Sequence, residues 1–237
     1  MVSTFEEACR AILGKAAAGE IADARDLASA KIWACREFGL SKPPSNSEIL
    51  AIASDKAKAV ELFRLKPVRS ISGVSVITVM PKPYPCPKEE PCIYCPGGPS
   101  YNTPQSYTGR EPAAARALQH SYDPYGQVKS RIEQLRAIGH DVDKVELIMF
   151  GGTLTAYPQD YLEWFTVQCL NAMSGSNART IEEAQLVAEN APIRVSDIAL
   201  ETRPDYCKEP HVDLMLRLGA TRVELGVQTL SDDIYKL

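Results

Sequence analysis

Residues Gly73-Val-Ser-Val-Ile-Thr-Val-Met80 form an apolar, β-branched run that leads into a proline-rich loop. Such side chains pack well on a pleated sheet, and an uninterrupted apolar run indicates a strand that is buried on both faces. Similar short runs recur at 145–150, 195–200 and 222–227, with helical patterns between them. Strands that alternate with helices predict parallel βα units, whose functional groups lie just past the carboxyl ends of the strands.

Four predicted strands are too few to close a barrel, and the fourth ends ten residues before Leu237. We therefore predict an α/β fold built as a partial parallel (β/α) barrel, either a fragment or a barrel whose remaining strands lie outside this sequence. The helices predicted to connect the strands occupy residues 111–120, 125–138, 159–173, 181–189 and 208–218.

The N-terminal part has a different pattern. Residues 4–38 are rich in Ala, Leu, Ile, Glu and Lys at helical spacing, which predicts one or two amphipathic helices. Ser45 and Glu48 have the spacing of a capping box and predict a second helical run to about Leu65. We therefore expect a small all-helical segment over residues 1–69, followed by the partial barrel over residues 70–237.

The composition is that of an ordinary globular protein, with 237 residues, 45% hydrophobic and 24% charged. These values exclude collagen-like and wholly disordered chains. The formal net charge of −4 argues against a strongly basic nucleic-acid-binding protein and leaves only local basic patches as candidates for RNA contact. Because no apolar run approaches the roughly 20 residues of a membrane span, the sequence predicts a cytoplasmic protein without membrane association.

Three of the seven cysteines, Cys86, Cys92 and Cys95, lie within ten residues just after the first predicted strand. Clustered thiols in a cytosolic chain indicate metal or redox ligands rather than disulfides. Three thiolates can hold three corners of a 4Fe–4S cluster and leave one iron open to a small molecule. The alternatives are a zinc site completed by His120, incidental buried thiols, and a simple electron carrier, which would normally have four cysteines.

Further motifs follow one another from about residue 70 to the end of the chain. They are Cys92-Ile-Tyr-Cys-Pro-Gly-Gly-Pro99, Pro104-Gln-Ser-Tyr-Thr-Gly109, Tyr122-Asp-Pro124, Asp143-Lys-Val-Glu146, Gly151-Gly-Thr153, Glu201-Thr-Arg-Pro-Asp-Tyr-Cys207 and Arg222-Val-Glu-Leu-Gly-Val-Gln228. In this order they resemble the radical S-adenosylmethionine (SAM) enzymes and, more narrowly, the archaeal or bacterial Elongator catalytic-subunit family. The five residues between Cys86 and Cys92 exceed the common C-x3-C spacing and are similar to the longer gap of the Elongator family.

The resemblance implies a 4Fe–4S cluster whose open iron binds the amino and carboxylate groups of SAM. Reductive cleavage of SAM would generate a 5′-deoxyadenosyl radical that acts on an acetyl group from acetyl-CoA, and the carbon radical would add to C5 of the wobble uridine of tRNA. Family members also have two more barrel strands and a C-terminal acetyltransferase domain. We therefore expect this chain alone not to complete the carboxymethylation.

The resemblance also implies roles for residues at the predicted strand ends. The turn of Gly151, Gly152 and Thr153 would contact the SAM amino group, through backbone carbonyls or the Thr153 hydroxyl. Glu201 and Gln228 would contact the ribose and methionine parts of SAM. Arg203 and Glu224, also near strand ends, are interpreted mainly as ion-pair or structural residues. For the two glycines alone, a plain βα turn is an equal alternative.

Two other residues are implied in ligand contact. Lys144 matches a lysine of the family that contacts acetyl-CoA, a role that fits a cation near the CoA phosphates; on sequence alone it is a surface lysine. Tyr94, between two of the clustered cysteines, would pack over the cluster or the adenine of SAM. Core packing is the alternative for this tyrosine.

A local positive stripe is the candidate tRNA contact, with a solvated helix face as the alternative. Other Elongator-like subunits or a homodimer are further possible partners. The rival function from a different class is a non-catalytic, metal- or cluster-stabilised tRNA-binding module. The residues of the stripe are Lys56, Lys58, Arg64, Lys66 and Arg69.

Overall fold

The structure is a computed structural model and describes residues 3–235. Its four strands form one parallel sheet in the order β1-β2-β3-β4. The predicted α/β class with a parallel four-stranded sheet and N-terminal helices is confirmed. The strands are β1 (Ser75–Val79), β2 (Lys144–Met149), β3 (Arg194–Thr202) and β4 (Arg222–Leu225).

Ten α-helices are present within residues 3–235, joined by short 3-10 turns at Pro67–Ser70, Pro99–Tyr101, Leu154–Ala156 and Pro204–Tyr206. None of these helices is both long and apolar enough to cross a membrane. The helices are α1 (Thr4–Ala17), α2 (Ala24–Glu37), α3 (Asn46–Ile52), α4 (Lys56–Phe63), α5 (Pro112–Gln119), α6 (Pro124–Ala137), α7 (Gln159–Ser174), α8 (Ile181–Ala188), α9 (Glu209–Arg217) and α10 (Asp232–Tyr235).

The chain divides into two compact units. Unit 1 comprises Met1–Ser72 and Glu133–Asp141, and unit 2 comprises Gly73–Ile132 and Val142–Leu237. The segment Glu133–Asp141, which the sequence placed with the barrel, thus belongs to unit 1. Compact units need not coincide with functional segments, so the division of the chain into a helical segment 1–69 and a partial barrel 70–237 stays a prediction.

Unit 1 is a small helical domain with its own core. The capping box at Ser45 and Glu48 is present, but the predicted helical run to Leu65 is interrupted. Ala53 is extended, and Asp55 Oδ1 accepts a hydrogen bond from Lys58 N, so a new helix begins there. The core of unit 1 consists of Ala8, Cys9, Ile12, Ile21, Leu27, Ala30, Ala34, Ile49, Leu50, Ala53, Ala59 and Phe63.

The sheet of unit 2 brings the carboxyl ends of its strands to one edge. Val79 pairs with Met149, and Met149 with Leu200. β3 is longer than the predicted run at 195–200, because Arg194 pairs with Lys144 at its start and Thr202 pairs with Leu225 at its end. β4 is shorter than predicted and ends at Leu225, since β3 ends at Thr202 and gives it no further partner.

β1 is an edge strand, and two side chains bond backbone groups at its carboxyl end and just beyond it. The Arg116 guanidinium donates to the Thr78 carbonyl at 2.6 Å. Gln127, fully buried on α6, accepts from Met80 N at 3.0 Å and donates to Met80 O at 2.9 Å. Burial, together with the nearby Arg131, lowers the pKa of Arg116 to about 10. The two bonds from Gln127 to Met80 take the place of those that a neighbouring strand would form where the cysteine loop begins.

The turn after β2 approaches the chain closely. Gly152 has φ +79°, a conformation that side chains other than glycine rarely adopt. A Cβ atom at this position would lie 2.7 Å from the carbonyl oxygen of Gln105. The turn therefore needs glycine for both conformation and space.

Replacing Phe63 in the core of unit 1 should be costly. Phe63 is fully buried, so Phe63→Ala should lower the free energy of unfolding by about 3–5 kcal/mol. The matched control is Leu62→Ala, since Leu62 on the same helix is 37% exposed. Urea denaturation followed by circular dichroism measures both. Equal losses would contradict the assignment of Phe63 to the core.

A methyl group at Gly152 should be more disruptive than one at another glycine with the same backbone conformation. Gly175, at the end of α7, has φ +73° but open space around it. Gly175→Ala should therefore cost about 1–2 kcal/mol from backbone strain alone. Gly152→Ala should cost about 1–3 kcal/mol more, from overpacking against Gln105. Thermal unfolding compares the two variants, and a similar Tm shift in both would exclude the close approach.

Candidate functional site

The candidate site lies in unit 2, at the carboxyl edge of the sheet. Three segments meet there: the loop that follows β1, the turn that follows β2 and the end of β3. Parallel strands place these three segments at the same edge, because every strand runs in the same direction.

The loop after β1 carries Cys86, Cys92 and Cys95. All three are free thiols and half-buried. The Cys95 amide donates to the Cys92 carbonyl at 2.8 Å, which folds the segment between them into a tight turn. Within residues 3–235 no group of three His, Cys, Asp or Glu side chains is arranged to hold a metal ion. The three thiols thus lie on one loop and are partly accessible, but they are not pre-arranged as metal ligands.

Each of these thiols has a nitrogen donor beside it. Gln105 Nε2 lies 2.9 Å from Cys95 Sγ, Lys88 Nζ lies 3.9 Å from Cys92 Sγ, and an Arg203 guanidinium nitrogen lies 3.9 Å from Cys86 Sγ. Partial burial lowers the pKa of Arg203, but Asp205 and the thiols of Cys86 and Cys92 raise it above its ordinary value. Arg203 also forms the ion pair expected of it, at 2.6 Å from Asp205.

This donor set fits an iron–sulfur cluster. Cluster ligands are thiolates, and both cations and N–H donors stabilise negative charge on sulfur. Cys86, Cys92 and Cys95 would hold three irons of such a cluster. The His120 ring, which the zinc alternative would need, lies over Gly126 at the start of α6.

The Glu201 carboxylate ties the three segments together. Its Oε2 atom accepts hydrogen bonds from the Tyr107 hydroxyl at 2.8 Å, Gly151 N at 3.0 Å and Gly152 N at 2.9 Å. Burial raises the pKa of Tyr107, and the Glu201 charge and hydrogen bond raise it further, so the phenol remains a donor. One oxygen atom thus joins the loop after β1, the turn after β2 and β3.

The structure brings three of the predicted SAM-contacting residues, Gly151, Gly152 and Glu201, into direct contact with one another. The amide groups of the two glycines point at the carboxylate. Thr153 follows them and is buried, and its amide donates to the Gly151 carbonyl at 3.1 Å. A contact from this turn to a ligand would therefore use atoms other than the two glycine amides.

The remaining predicted ligand contacts are placed differently. Gln228 lies three residues beyond β4, is exposed, and folds back over Gly226. Tyr94 is 54% exposed in the cysteine loop. Lys144 is exposed at the first residue of β2, which is the amino edge of the sheet and opposite to the cysteine loop. The structure does not bring Lys144 to the site.

The basic stripe belongs to unit 1 and is largely exposed. Lys56 and Lys58 are exposed on α4, and Lys66 and Arg69 are exposed beyond it. Arg64 differs because it is half-buried and its Nε donates to Gly139 O at 3.0 Å. Four of the five predicted cations are therefore accessible to a ligand, and Arg64 has a structural hydrogen bond.

Two residues that shape the site were not among the predicted site residues. Gln105 and Tyr107 both lie in the quoted motif Pro104-Gln-Ser-Tyr-Thr-Gly109, which was the available signal. Their partners, Cys95 and Glu201, are 10 and 94 residues away along the chain. The spacing of residues within a motif cannot indicate a contact such as that of Tyr107 with Glu201, which are 94 residues apart.

Comparison with known families matches both parts of the chain. Residues 5–71 match the family described as the ELP3 N-terminal domain, and residues 86–237 match the radical SAM superfamily. The second match includes the three clustered cysteines, the Gly151–Gly152 turn and Glu201.

Individual relatives agree with these families. A tRNA uridine(34) acetyltransferase of Methanocaldococcus jannaschii is 51% identical over 81% of this chain and 36% of its own length. Elongator complex protein 3 of Saccharomyces cerevisiae is 44% identical over 85% of this chain and 38% of its own length. This chain thus spans less than two fifths of the length of either relative.

A solved structure agrees as well. The archaeal Methanocaldococcus infernus Elp3, determined with an N-terminal deletion (1-46), is 39% identical with a TM-score of 0.53 and covers 69% of this chain and 31% of its own. Because the second family match covers well over half of the sequence, the chain belongs to the radical SAM superfamily, and its N-terminal part matches the ELP3 N-terminal domain.

Proposed function

We propose that this chain is part of a radical SAM enzyme that installs a carboxymethyl group at C5 of the wobble uridine of tRNA, using SAM and acetyl-CoA. The main support is the loop after β1, where three free thiols each have a nitrogen donor beside the sulfur. The name of the archaeal relative, a tRNA uridine(34) acetyltransferase, supports tRNA as the substrate.

In this proposal Cys86, Cys92 and Cys95 hold a 4Fe–4S cluster. When bound, the cluster supplies the electron that cleaves SAM reductively. The chain contributes the three thiolates and the donors of Gln105 and Arg203, which stabilise negative charge on sulfur.

SAM would bind at the carboxyl edge of the sheet, next to the cysteine loop. Thr153 and the carbonyls of Gly151 and Gly152 would face its amino group, because the glycine amides already bond Glu201. Glu201 and Gln228 would contact the ribose and methionine parts, and Tyr94 would cover the adenine.

Transfer RNA would bind the segment 1–69, with phosphates on the exposed cations of the basic stripe, and the partial barrel of 70–237 would carry the chemistry. Lys and Arg contacts to phosphates release counterions, so this binding should weaken with salt. Lys144 would contact acetyl-CoA at the amino edge of the sheet, as a cation near the CoA phosphates. We also propose a cytoplasmic location, with Elongator-like subunits or a second copy of the chain as partners.

The deciding experiment is anaerobic reconstitution with iron and sulfide, followed by reduction in the presence of SAM and tRNA. Release of 5′-deoxyadenosine by the reconstituted chain would support the radical enzyme. If tRNA binds while iron-loaded protein leaves SAM intact, the chain is a cluster-stabilised tRNA-binding module instead. Mass spectrometry of tRNA nucleosides, with acetyl-CoA added, tests the carboxymethyl product in the full-length relative.

Each single change of Cys86, Cys92 or Cys95 to Ser should abolish the visible iron–sulfur absorbance, because a cluster held by three thiolates cannot lose one without losing stability. Cys207→Ser is the matched control, since Cys207 is also a free, half-buried thiol of unit 2 but lies outside the loop. Iron and sulfide analysis of the four variants measures the effect. Full iron content in one of the three loop variants would remove that cysteine from the proposed site.

Neutralising the accessible part of the basic stripe should weaken tRNA binding. The triple variant Lys56→Gln, Lys58→Gln and Arg69→Gln should bind tRNA at least about tenfold more weakly. The slope of log affinity against log salt should fall by about 0.7–0.9 for each lost phosphate contact. Arg64 is left intact, because its hydrogen bond to Gly139 stabilises unit 1.

The control for that experiment is a triple neutralisation of Arg10, Arg25 and Lys42, which are exposed cations elsewhere in unit 1. It removes the same net charge from the same unit. Equal weakening in both triple variants would show that bulk charge, rather than the stripe, attracts tRNA. Filter binding over a range of salt concentrations distinguishes the two results.

A further inference from the structure

Gln105 occupies a buried position between the cysteine loop and the Gly151–Gly152 turn. The residue is only 8% exposed. The amide Nε2 donates to Cys95 Sγ at 2.9 Å and to Gly97 O at 3.3 Å. The main-chain carbonyl oxygen of Gln105 lies against the glycine turn, 2.7 Å from where a Cβ atom at Gly152 would be. The residue therefore contacts both segments of the site at once.

The contact to sulfur differs from the others in the loop. Lys88 and Arg203 lie 3.9 Å from their thiols, and Lys88 is exposed. The amide of Gln105 is uncharged, buried and a full ångström closer. A hydrogen bond that is partly shielded from water is stronger than one that is fully exposed.

Thr103 provides a natural comparison in the same loop. It is buried, and its hydroxyl accepts a hydrogen bond from Gly98 N at 3.1 Å. Thr103 thus holds the backbone of the loop just after the last cysteine, as Gln105 does through Gly97. Of the two residues, only Gln105 bonds a sulfur atom.

We propose that Gln105 is a positioning residue for the cluster: its side-chain amide fixes Cys95 for iron ligation and raises the reduction potential of the bound cluster. The inference rests on the proposed function, in that Cys95 is a cluster ligand. Reduction adds one electron to the cluster from an external one-electron donor, with no bond formed or broken. The N–H donor stabilises the more negative reduced form more than the oxidised form, so reduction becomes easier.

The first test uses the metal-free chain and does not depend on iron. Protein labelled with ¹⁵N-glutamine shows the side-chain amide signals, and Gln105→Glu identifies the pair that belongs to Gln105. We expect one of its two protons to be shifted and protected from exchange, and Cys95→Ala to reverse both effects. A Gln105 signal at the position of an exposed amide, unchanged by Cys95→Ala, would overturn the proposal.

The second test uses iron-loaded protein and compares Gln105→Leu with Thr103→Val by redox titration against mediator dyes. Removing the donor should lower the ratio of reduced to oxidised cluster about tenfold at a given potential, which is a shift of about −59 mV for one electron. Thr103→Val should leave the potential unchanged. Iron loss confined to Gln105→Leu also supports positioning, whereas equal shifts or equal iron loss in both variants would overturn it.

Failure of the proposed function gives a different result. If the wild-type chain itself takes up no iron under reconstitution, the cluster assignment fails, while the amide signals of the metal-free protein still report the bond from Gln105 to Cys95. If the wild type takes up iron and the potential does not respond to Gln105→Leu, the cluster assignment stands and the role of Gln105 fails.

Discussion

The candidate site depends on one carboxylate oxygen. Glu201 Oε2 accepts three hydrogen bonds, from the Tyr107 hydroxyl and from the amides of Gly151 and Gly152. Hydrogen bonds to a charged acceptor contribute about 1.5–3 kcal/mol each, and more is lost when a buried partner is left unsatisfied. Because the donors come from different connections of the sheet, the carboxylate specifies how those connections close. The glycine turn and the tyrosine can both reach it only if β1, β2 and β3 end at the same edge.

The nitrogen donors around the thiols follow a similar logic. Lys88 belongs to the cysteine loop itself, Gln105 follows that loop and Arg203 follows β3, yet each lies beside one cysteine of the loop. Donors that are in place before a ligand binds need little reorganisation when negative charge arrives. The Arg203 side chain is itself held by Asp205, so its direction is fixed by a second ion. The protein thus prepares the electrostatic surroundings of the loop more completely than the positions of the thiols themselves.

The sequence predicted the strands well because the apolar runs are short, β-branched and separated by helices. The errors occur where a neighbouring element sets the limit. β4 ends at Leu225 because β3 ends at Thr202, and Pro204 begins a 3-10 turn. The second helical run breaks because Asp55 caps a new helix, an effect that helix propensity alone does not include.

The site was predictable only in part. The cysteines, Gly151–Gly152 and Glu201 stand next to strand ends, where position along the chain already indicates the carboxyl edge. Gln105 and Tyr107 lie in an irregular loop, and their partners are set by tertiary packing. Lys144 shows the opposite case, since it stands at the start of the second strand, a position that indicates the amino edge of the sheet. Residue spacing thus predicted the site residues at strand ends, but not those whose partners are distant in the sequence.

The covering of β1 has a consequence for association between copies of the chain. An open strand edge is a template on which another strand can add, and this is a common route to aggregation. At Thr78 and Met80 the outward backbone groups already bond Arg116 and Gln127. A strand from another molecule would have to displace a buried guanidinium and a buried amide before it could pair. The same side chains that fix the entry to the cysteine loop therefore hinder cross-β growth at the carboxyl end of this flank of the sheet.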